Sequence, residues 1–422
     1  MIEPLTRLPD GTVKQVNPIT GTKVWTLPGR AARPLGQPMH HPLPIDPADH
    51  DSHCAFCAAR KRETTPEIAR LVRDDAGWRE VRGVLADDLD ETVAEFRLIP
   101  NLFEILSYDY WHLAHGWEPT EASRARRTAY LASAGGRAHV TALARIRMRA
   151  RGAEGADAEP LAHDDLEREA VGLFAGNHQV VVARRHHLDG ATDDSQLAGS
   201  GTLTPEEHWQ YTDLTIRAMR DLYRDNDCAR YVSVFQNWLA PAGASFDHLH
   251  KQVVAIDELG TQKEDEIALV RDEPDVFARW GARYAAEQGL VVARTEHAVA
   301  FAGVGHRYPA LVVHVTGPGA CPWDLTDEQR RDFSDLVHAC HAATGVHVPS
   351  NEEWHHRPPG VDVPMPLRAV LKWRISTLAG FEGGTKIYVN TISPWDVRDR
   401  AVARLRELAR AGALSDRVTI GR

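Results

Sequence analysis

Residues 243–252 read Gly-Ala-Ser-Phe-Asp-His-Leu-His-Lys-Gln and lead into the apolar run 253–256, Val-Val-Ala-Ile. β-Branched residues favour a strand, and the side chains of a strand alternate between its two faces. His248, His250 and Gln252 therefore share one face of the predicted strand. Two imidazoles and an amide in a row are an unusual surface to bury, because each needs a hydrogen-bond partner. The stretch predicts a functional site on a β-sheet.

Elements before this strand follow a regular order. The runs at 179–183 and 231–235 are rich in β-branched or aromatic residues and predict two further strands. Between them, Thr204-Pro205-Glu206-Glu207 combines a capping box with proline at the first helical position, which predicts a helix to about Asp225. Strands and helices mixed in this way indicate an α+β fold.

Similar features recur further along the chain. The sequence Leu325 to Gln329 repeats the helix start with an offset of 122 positions, Asn351 follows Asn237 by 114, and Lys372 follows Lys251 by 121. Capping boxes are common, so coincidence is the alternative. We interpret the set as an internal duplication, with one repeat in residues 1–258 and the other in residues 259–422.

The second repeat lacks the polar row of the first. With the offset of 121, Ala369, Leu371 and Trp373 take the positions of His248, His250 and Gln252. We therefore expect chemistry in the first repeat alone.

Composition excludes several classes of protein. The 422 residues carry a formal net charge of −10, which argues against a general nucleic-acid binder. The apolar runs are all shorter than the roughly 18 residues that cross a bilayer, and residues 1–4 do not resemble a signal peptide. Five cysteines, an odd and sparse number, are typical of a reducing compartment. We expect a cytoplasmic protein that acts on a small molecule rather than on nucleic acid or a membrane.

Cys54-Ala55-Phe56-Cys57 has the spacing with which two thiolates chelate one metal ion. The pair is half of a tetrahedral zinc site, and His53, the pair His186-His187 and His248 are candidates for the rest. From the motif alone, two free thiols or a redox pair are the alternatives.

A further segment reads Asn17-Pro18-Ile19-Thr20-Gly21 and is followed by Arg30 and Arg33. Two arginines near a glycine-containing turn can clamp phosphate groups. Taken alone, they fit surface charges better.

In this order, the motifs resemble the galactose-1-phosphate uridylyltransferase family of the histidine-triad superfamily. The match runs through nearly the whole chain, with an apparent insertion at about 110–170. The matching motifs are Asn17 to Gly21, Arg30 to Pro34, Cys54 to Cys57, Thr65-Pro66, Arg97 to Phe103, Val180 to His187, Phe235 to Asn237 and Gly243 to Gln252. The resemblance implies two histidine-triad-like repeats, each an antiparallel sheet with packed helices.

The resemblance also implies roles for individual residues. His250 corresponds to the nucleophile that takes a nucleoside monophosphate from a nucleotide sugar, and Gln252, Ser245 and Asn237 correspond to neutral donors to phosphoryl oxygens. Arg30 and Arg33 correspond to contacts with the phosphates. Asn101 and Phe103 correspond to contacts with the nucleoside, and Phe381 and Glu382 to contacts with the hexose. The family forms dimers, so a homodimer is expected.

For the metal, the resemblance implies one structural Zn²⁺ ion held by Cys54, Cys57, His187 and His248. His186 is then expected to point to the opposite side. We expect no second metal in the second repeat.

Three functions follow from this reading. The leading one is a nucleotidyltransferase similar to UDP-glucose–hexose-1-phosphate uridylyltransferases, which moves a nucleoside monophosphate from a nucleotide sugar to a sugar phosphate through nucleotidyl-His250. The second is a nucleotide-sugar phosphorylase or hydrolase that uses the same histidine. The third is a zinc-stabilised nucleotide-binding protein without turnover.

Overall fold

The computed structural model describes residues 3–29, 42–157, 160–317 and 319–421. The strands are β1 Leu5–Arg7, β2 Val13–Val16, β3 Lys23–Thr26, β4 Ala69–Asp74, β5 Gly77–Arg82, β6 Ala94–Pro100, β7 His178–Ala183, β8 Tyr231–Trp238, β9 His250–Ile256, β10 Val291–Arg294, β11 Ala298–Ala302, β12 Ala310–Val315, β13 Ser350–His355, β14 Arg368–Trp373, β15 Ile387–Asn390 and β16 Thr419–Ile420. The helices are α1 Tyr108–His115, α2 Glu121–Ala132, α3 Ala134–Ala150, α4 His163–Ala175, α5 Pro205–Asp225, α6 Thr261–Asp272, α7 Val276–Ala278, α8 Tyr284–Glu287, α9 Asp327–Thr344, α10 Gly380–Thr385 and α11 Pro394–Arg410. None of the helices in these ranges is long and apolar enough to cross a membrane.

Twelve strands of the described residues form one antiparallel sheet, in the order β16-β10-β11-β12-β14-β13-β8-β9-β7-β6-β4-β5. Read from each edge towards the centre, the two halves of the sheet have matching connections. In one half β7, α5, β8 and β9 follow one another, and in the other β12, α9, β13 and β14 do. The α+β fold of two repeats is confirmed. We keep the division at residues 258 and 259 as a proposal.

The two halves meet where β8 pairs with β13, and Asn237 lies directly opposite Asn351. Both helix starts predicted from the sequence form capping boxes, at Thr204 with Glu207 and at Thr326 with Gln329. Helices α5 and α9 pack together, and His208 Nδ1 lies 2.8 Å from Ser334 Oγ.

Strand pairing corrects the predicted alignment of the second repeat. Leu371 is opposite Glu352, which contacts the buried Lys251 on the side covered by α5 and α9. We call this side the helix face and the side that carries His250 the site face. Because alternation puts Ala369, Leu371 and Trp373 together on the helix face, they are not the counterparts of His248, His250 and Gln252.

On the site face of the second half, β14 presents its even-numbered residues. Asn237 is opposite Asn351, Phe235 is opposite Gln252, and Arg374 donates its backbone N–H to the Pro349 carbonyl. Asn351 is the counterpart of Asn237, so Pro349, two positions earlier, is the counterpart of Phe235. Phe235 pairs with Gln252 and Pro349 pairs with Arg374. Arg374 is therefore the counterpart of Gln252.

A buried ion pair lies on the helix face and includes Lys251, the residue that follows the predicted nucleophile His250. Lys251 Nζ is 2.5 Å from Glu352 Oε1, and His341 Nε2 is 2.6 Å from Glu352 Oε2. The ammonium group also lies over the rings of Tyr211 and Trp354. This cluster ties β9 of the first half to β13 and α9 of the second.

A smaller sheet has the order β1-β2-β3-β15 and joins the start of the chain to its C-terminal part. Its turn at 17–21 is held by Asn17, whose side chain accepts from Ile19 and Thr20 and donates to the Val304 carbonyl. The predicted insertion at 110–170 consists largely of helices α1 to α4.

Candidate active site and metal centre

His250 is the first residue of β9 and lies opposite Val182 of β7. Its Nδ1 is 2.8 Å from the carbonyl oxygen of His248. Because a carbonyl can only accept, Nδ1 carries the proton and Nε2 has a free lone pair. Burial lowers the pKa of His250 to about 4, so the ring is neutral at pH 7. The ring also packs against Phe56 of the Cys54–Cys57 turn, with centroids 5.1 Å apart.

Gln252 follows on the same face and is held by His178 of β7. His178 Nδ1 accepts from the backbone N–H of Ile105 at 3.2 Å, and His178 Nε2 lies 2.9 Å from Gln252 Oε1. Since Nδ1 is an acceptor, the single N–H of the neutral ring is on Nε2 and donates to the Gln252 amide oxygen. Asn101 Nδ2, itself a donor, lies 3.1 Å from the same Nε2 and makes no hydrogen bond to it in this tautomer. Burial lowers the pKa of His178 to about 4, which keeps the ring in this neutral form. The Gln252 NH₂ group makes no hydrogen bond to the described residues.

Asn237 lies on β8 beside the junction of the two halves. Asn351 Nδ2 is 2.7 Å from Asn237 Oδ1 and 2.8 Å from the Ala242 carbonyl oxygen. Arg374 in turn donates to Asn351 Oδ1 at 2.7 Å. These three side chains line one cavity on the site face.

Ser245 is exposed in the loop between β8 and β9. The loop turns sharply through Leu239, with φ of +66°, and Gly243, with φ of +87°. At Gly243 a side chain would be strained, so glycine suits this turn. The turn brings the chain back beside Asn237 Nδ2, which is 3.9 Å from the position of a Cβ atom at Gly243.

Four buried or half-buried ligand atoms form a compact cluster next to the nucleophile: Cys54 Sγ, Cys57 Sγ, His186 Nδ1 and His248 Nδ1. The sulfur atoms are 3.8 Å apart, and the four sulfur–nitrogen distances are 3.5–3.7 Å. A tetrahedron with zinc bond lengths has edges of roughly 3.8 Å between sulfurs and roughly 3.6 Å between sulfur and nitrogen. The donor set therefore fits a four-coordinate zinc ion.

The hydrogen bonds made by these ligand residues also fit zinc binding. His248 Nε2 is 2.7 Å from the Ala183 carbonyl oxygen, so Nε2 carries the proton and Nδ1 is available to a metal. A hydrogen bond from the Cys54 thiol lowers the pKa of Cys57 well below its usual range. Thiolate and neutral imidazole are the forms that bind zinc.

His187, predicted as the fourth ligand, is replaced in this cluster by its neighbour His186. His187 is buried beside it, its ring stacked on that of His186 at 4.5 Å, and its Nδ1 has no hydrogen-bond partner among the described residues. Strand β7 ends at Ala183, so the chain bends before it reaches these residues. By strand alternation, His186 points to the same face as Val182, which lies opposite His250. This alternation favours His186 over His187 as the ligand.

The nucleoside contacts predicted from the sequence lie close to Gln252. The Asn101 backbone N–H donates to the His178 carbonyl, and Asn101 Oδ1 accepts from the backbone of Phe103. Phe103 is 56% exposed. Arg30 and Arg33, the predicted phosphate clamp, lie outside the described residues.

The hexose contacts predicted at Phe381 and Glu382 lie on α10, beside the four-stranded sheet. Both Glu382 carboxylate oxygens accept from backbone N–H groups, of Ala379 and Val389. Phe381 is half exposed and touches Trp25. In the described residues neither one contacts His250, Gln252 or Asn237.

Known proteins share both sequence and fold with this chain. Residues 8–422 match the family described as "Domain of unknown function (DUF4921)". The chain belongs to the DUF4921 family. An ADP-glucose phosphorylase of Arabidopsis thaliana is 22% identical to this DUF4921 chain over 390 residues, which cover 90% of each protein.

Two solved structures from Arabidopsis thaliana share the fold. One is an ADP-glucose phosphorylase with bound ADP-glucose, with a TM-score of 0.57, 19% identity, and coverage of 92% of this chain and 97% of that one. The other is a galt-like protein, with a TM-score of 0.54, 18% identity, and coverage of 92% and 98%. The resemblance to the galactose-1-phosphate uridylyltransferase family is confirmed at the level of the fold, which this chain shares with a galt-like protein.

Proposed function

We propose that this protein is an enzyme that transfers a nucleoside monophosphate from a nucleotide sugar to a phosphate-bearing acceptor through a covalent intermediate on His250. The acceptor is a sugar phosphate in the transferase form of the reaction and inorganic phosphate in the phosphorylase form. Both forms share the first step.

One observation carries the proposal: the hydrogen bond from His250 Nδ1 to the His248 carbonyl. It leaves Nε2 unprotonated, and a neutral imidazole is a competent nucleophile at pH 7. When Nε2 bonds to phosphorus the ring gains positive charge, and the carbonyl acceptor stabilises that charge.

The neighbouring amides supply what phosphoryl transfer needs most, which is positioning and stabilisation of charge. Gln252 and Asn237 have their oxygens engaged, so each can present an NH₂ group to a phosphoryl oxygen. Ser245 adds a hydroxyl from the adjacent loop. Neutral donors stabilise the transition state without holding the product anion too strongly.

The reaction consists of two in-line displacements. In the first, the Nε2 lone pair of His250 forms a bond to the α-phosphorus while the bond from that phosphorus to the bridging oxygen breaks, which releases the sugar 1-phosphate. In the second, an oxygen of the acceptor phosphate forms a bond to phosphorus and the N–P bond breaks. Hexose 1-phosphate then yields a new nucleotide sugar, and inorganic phosphate yields a nucleoside diphosphate.

The metal cluster serves this site as a structural support. Bound zinc would join the Cys54–Cys57 turn to His186 and to His248, two residues before the nucleophile. Because the His248 carbonyl accepts from His250 Nδ1, a fixed His248 also fixes the His250 ring.

Phosphorolysis is a second candidate because of one specific observation. A relative aligned over 90% of both chains is named as an ADP-glucose phosphorylase. On this reading the donor is ADP-glucose and the acceptor is inorganic phosphate. A cytoplasmic homodimer, with Arg30 and Arg33 at the phosphates and Asn101 and Phe103 at the nucleoside, completes the proposal.

Product analysis tests both candidates. Purified protein is incubated with UDP-, ADP- and GDP-glucose, each with inorganic phosphate, with galactose 1-phosphate and without acceptor, and the products are read by ³¹P NMR. A nucleoside diphosphate formed only with phosphate supports phosphorolysis, and a new nucleotide sugar supports transfer. Release of nucleoside monophosphate without an acceptor indicates hydrolysis. No turnover of any donor contradicts the proposal and leaves the non-catalytic binding protein.

A further inference from the structure

The amide of Asn237 could in principle face the site with either its oxygen or its nitrogen. Only the nitrogen can donate to a phosphoryl oxygen, so the orientation decides whether this residue assists the reaction. The contacts on the far side of the amide come from the second half of the chain.

These contacts leave one arrangement. Arg374 can only donate, so the Asn351 atom 2.7 Å from its Nη1 is the oxygen. The Ala242 carbonyl can only accept, so the other Asn351 atom, at 2.8 Å, is the nitrogen. That nitrogen also lies 2.7 Å from the Asn237 side chain, which must offer its oxygen there. Reversing either amide would set two donors or two acceptors against each other.

The remaining group, Asn237 Nδ2, makes no hydrogen bond to the described residues and lies beside Gly243 of the loop that carries Ser245. Asn237, Asn351 and Arg374 line the same cavity. Asn237 is two residues beyond Phe235, which lies opposite Gln252, so the free NH₂ group is on the site face with Gln252 and His250, where a phosphoryl group would lie.

We propose that Asn351 and Arg374 are positioning residues for the site of the first half: they hold Asn237 with its NH₂ group turned towards the phosphoryl group. The proposal rests on the proposed function for the role of that NH₂ group. Asn351 and Arg374 are the counterparts of Asn237 and Gln252 in the second half. In the second half Lys372, paired with Glu353, stands at the position of His250, and the two neighbouring site positions remain in use across the β8–β13 junction.

The variant Asn351→Asp separates orientation from packing because the two side chains have the same shape. The carboxylate still accepts from Arg374 but cannot donate to Asn237, which then turns its own NH₂ group away from the site. We expect kcat to fall about 100-fold, the typical cost of losing one such donor, with KM changed less than about 3-fold. In an Asn237→Ala background the same substitution should change kcat by less than about 2-fold, since both changes remove one interaction.

A matched control is Asn390→Asp, which removes a buried amide donor to the His306 carbonyl, away from the site. It should leave kcat unchanged. Arg374→Met should lower kcat through the same path, although Arg374 makes no contact with Asn237 among the described hydrogen bonds. Full additivity of Asn351→Asp and Asn237→Ala would overturn the proposal.

A measurement without substrate separates this proposal from the proposed function. The side-chain NH₂ signals of Asn237, identified by their loss in Asn237→Ala, are followed by NMR in protein labelled at asparagine. We expect them to shift in Asn351→Asp and Arg374→Met and to stay in place in Asn390→Asp. If the signals shift but the protein never forms a nucleotidyl adduct, the orientation of the Asn237 amide is supported and the proposed function is rejected. Unshifted signals in an active enzyme would reject the orientation.

Discussion

Replacing His186 should remove the metal, whereas replacing His187 should not. His186 Nδ1 is within 3.6 Å of both thiols, and His187 lies behind it with its ring 4.5 Å away. Changes to the outer sphere of a zinc site cost about 10–100-fold in affinity, so the loss of a ligand should cost at least about 100-fold. In zinc-saturated protein that factor corresponds to about 2.7 kcal/mol of the free energy of unfolding.

The assay is zinc content after dialysis against a competing chelator, for His186→Asn, His187→Asn and the unaltered protein. We expect about one zinc per chain in the unaltered protein and in His187→Asn, and nearly none in His186→Asn. Both variants shrink a histidine in the same region, so a general loss of packing would affect them alike. Zinc lost from His187→Asn and kept by His186→Asn would show that His187, and not His186, is the ligand.

Further predictions concern the supports of the site and of the core. His178→Phe removes the donor to Gln252 Oε1. In steady-state kinetics it should lower kcat about 10-fold with little change in KM. An unchanged kcat would argue against a role for this contact. Lys251→Met removes the ammonium partner of the buried Glu352, which keeps its contacts with His341 and Trp354, and should cost about 3–5 kcal/mol in urea unfolding. Arg404→Met in the exposed pair with Glu407 should cost less than about 1 kcal/mol, and equal costs would contradict the expected effect of burial. Burial lowers the pKa of His338 to about 4 from its ordinary 6.5. Between pH 6.5 and pH 4 this histidine therefore binds a proton in the unfolded chain but not in the native state. This contribution to stability is complete above about pH 6.5, falls by up to about 3 kcal/mol as the pH drops to 4, and should vanish from the pH profile of unfolding in His338→Gln.

Local patterns predicted the elements well. The capping boxes at Thr204 and Thr326 begin α5 and α9, and the apolar run after His250 forms β9, because caps and alternation act between near neighbours in sequence. The polar row is placed as predicted for His250 and Gln252. His248 precedes the strand, in the bend that brings it to the thiols.

The predictions that needed distant contacts were less accurate. The identity of Lys251 and Lys372 suggested an offset of 121, and that single residue of error moved the alignment to the opposite face of β14. The ligand His187 was predicted from the family resemblance, whereas alternation from Val182, which lies opposite His250, favours its neighbour His186, the residue found in the cluster. His178 and Asn351 were missed as partners of Gln252 and Asn237, since both lie more than 70 positions away from them in sequence.

The central claim is that His250 Nε2 forms a bond to phosphorus. Its most direct test is the intact mass of the protein after brief incubation with UDP-, ADP- and GDP-sugars without an acceptor, followed by acid-free quenching. We expect an added nucleoside monophosphate from at least one donor, which disappears when the acceptor is added and never forms in His250→Gly. An adduct that persists in His250→Gly, or an active enzyme whose mass never changes, would contradict it.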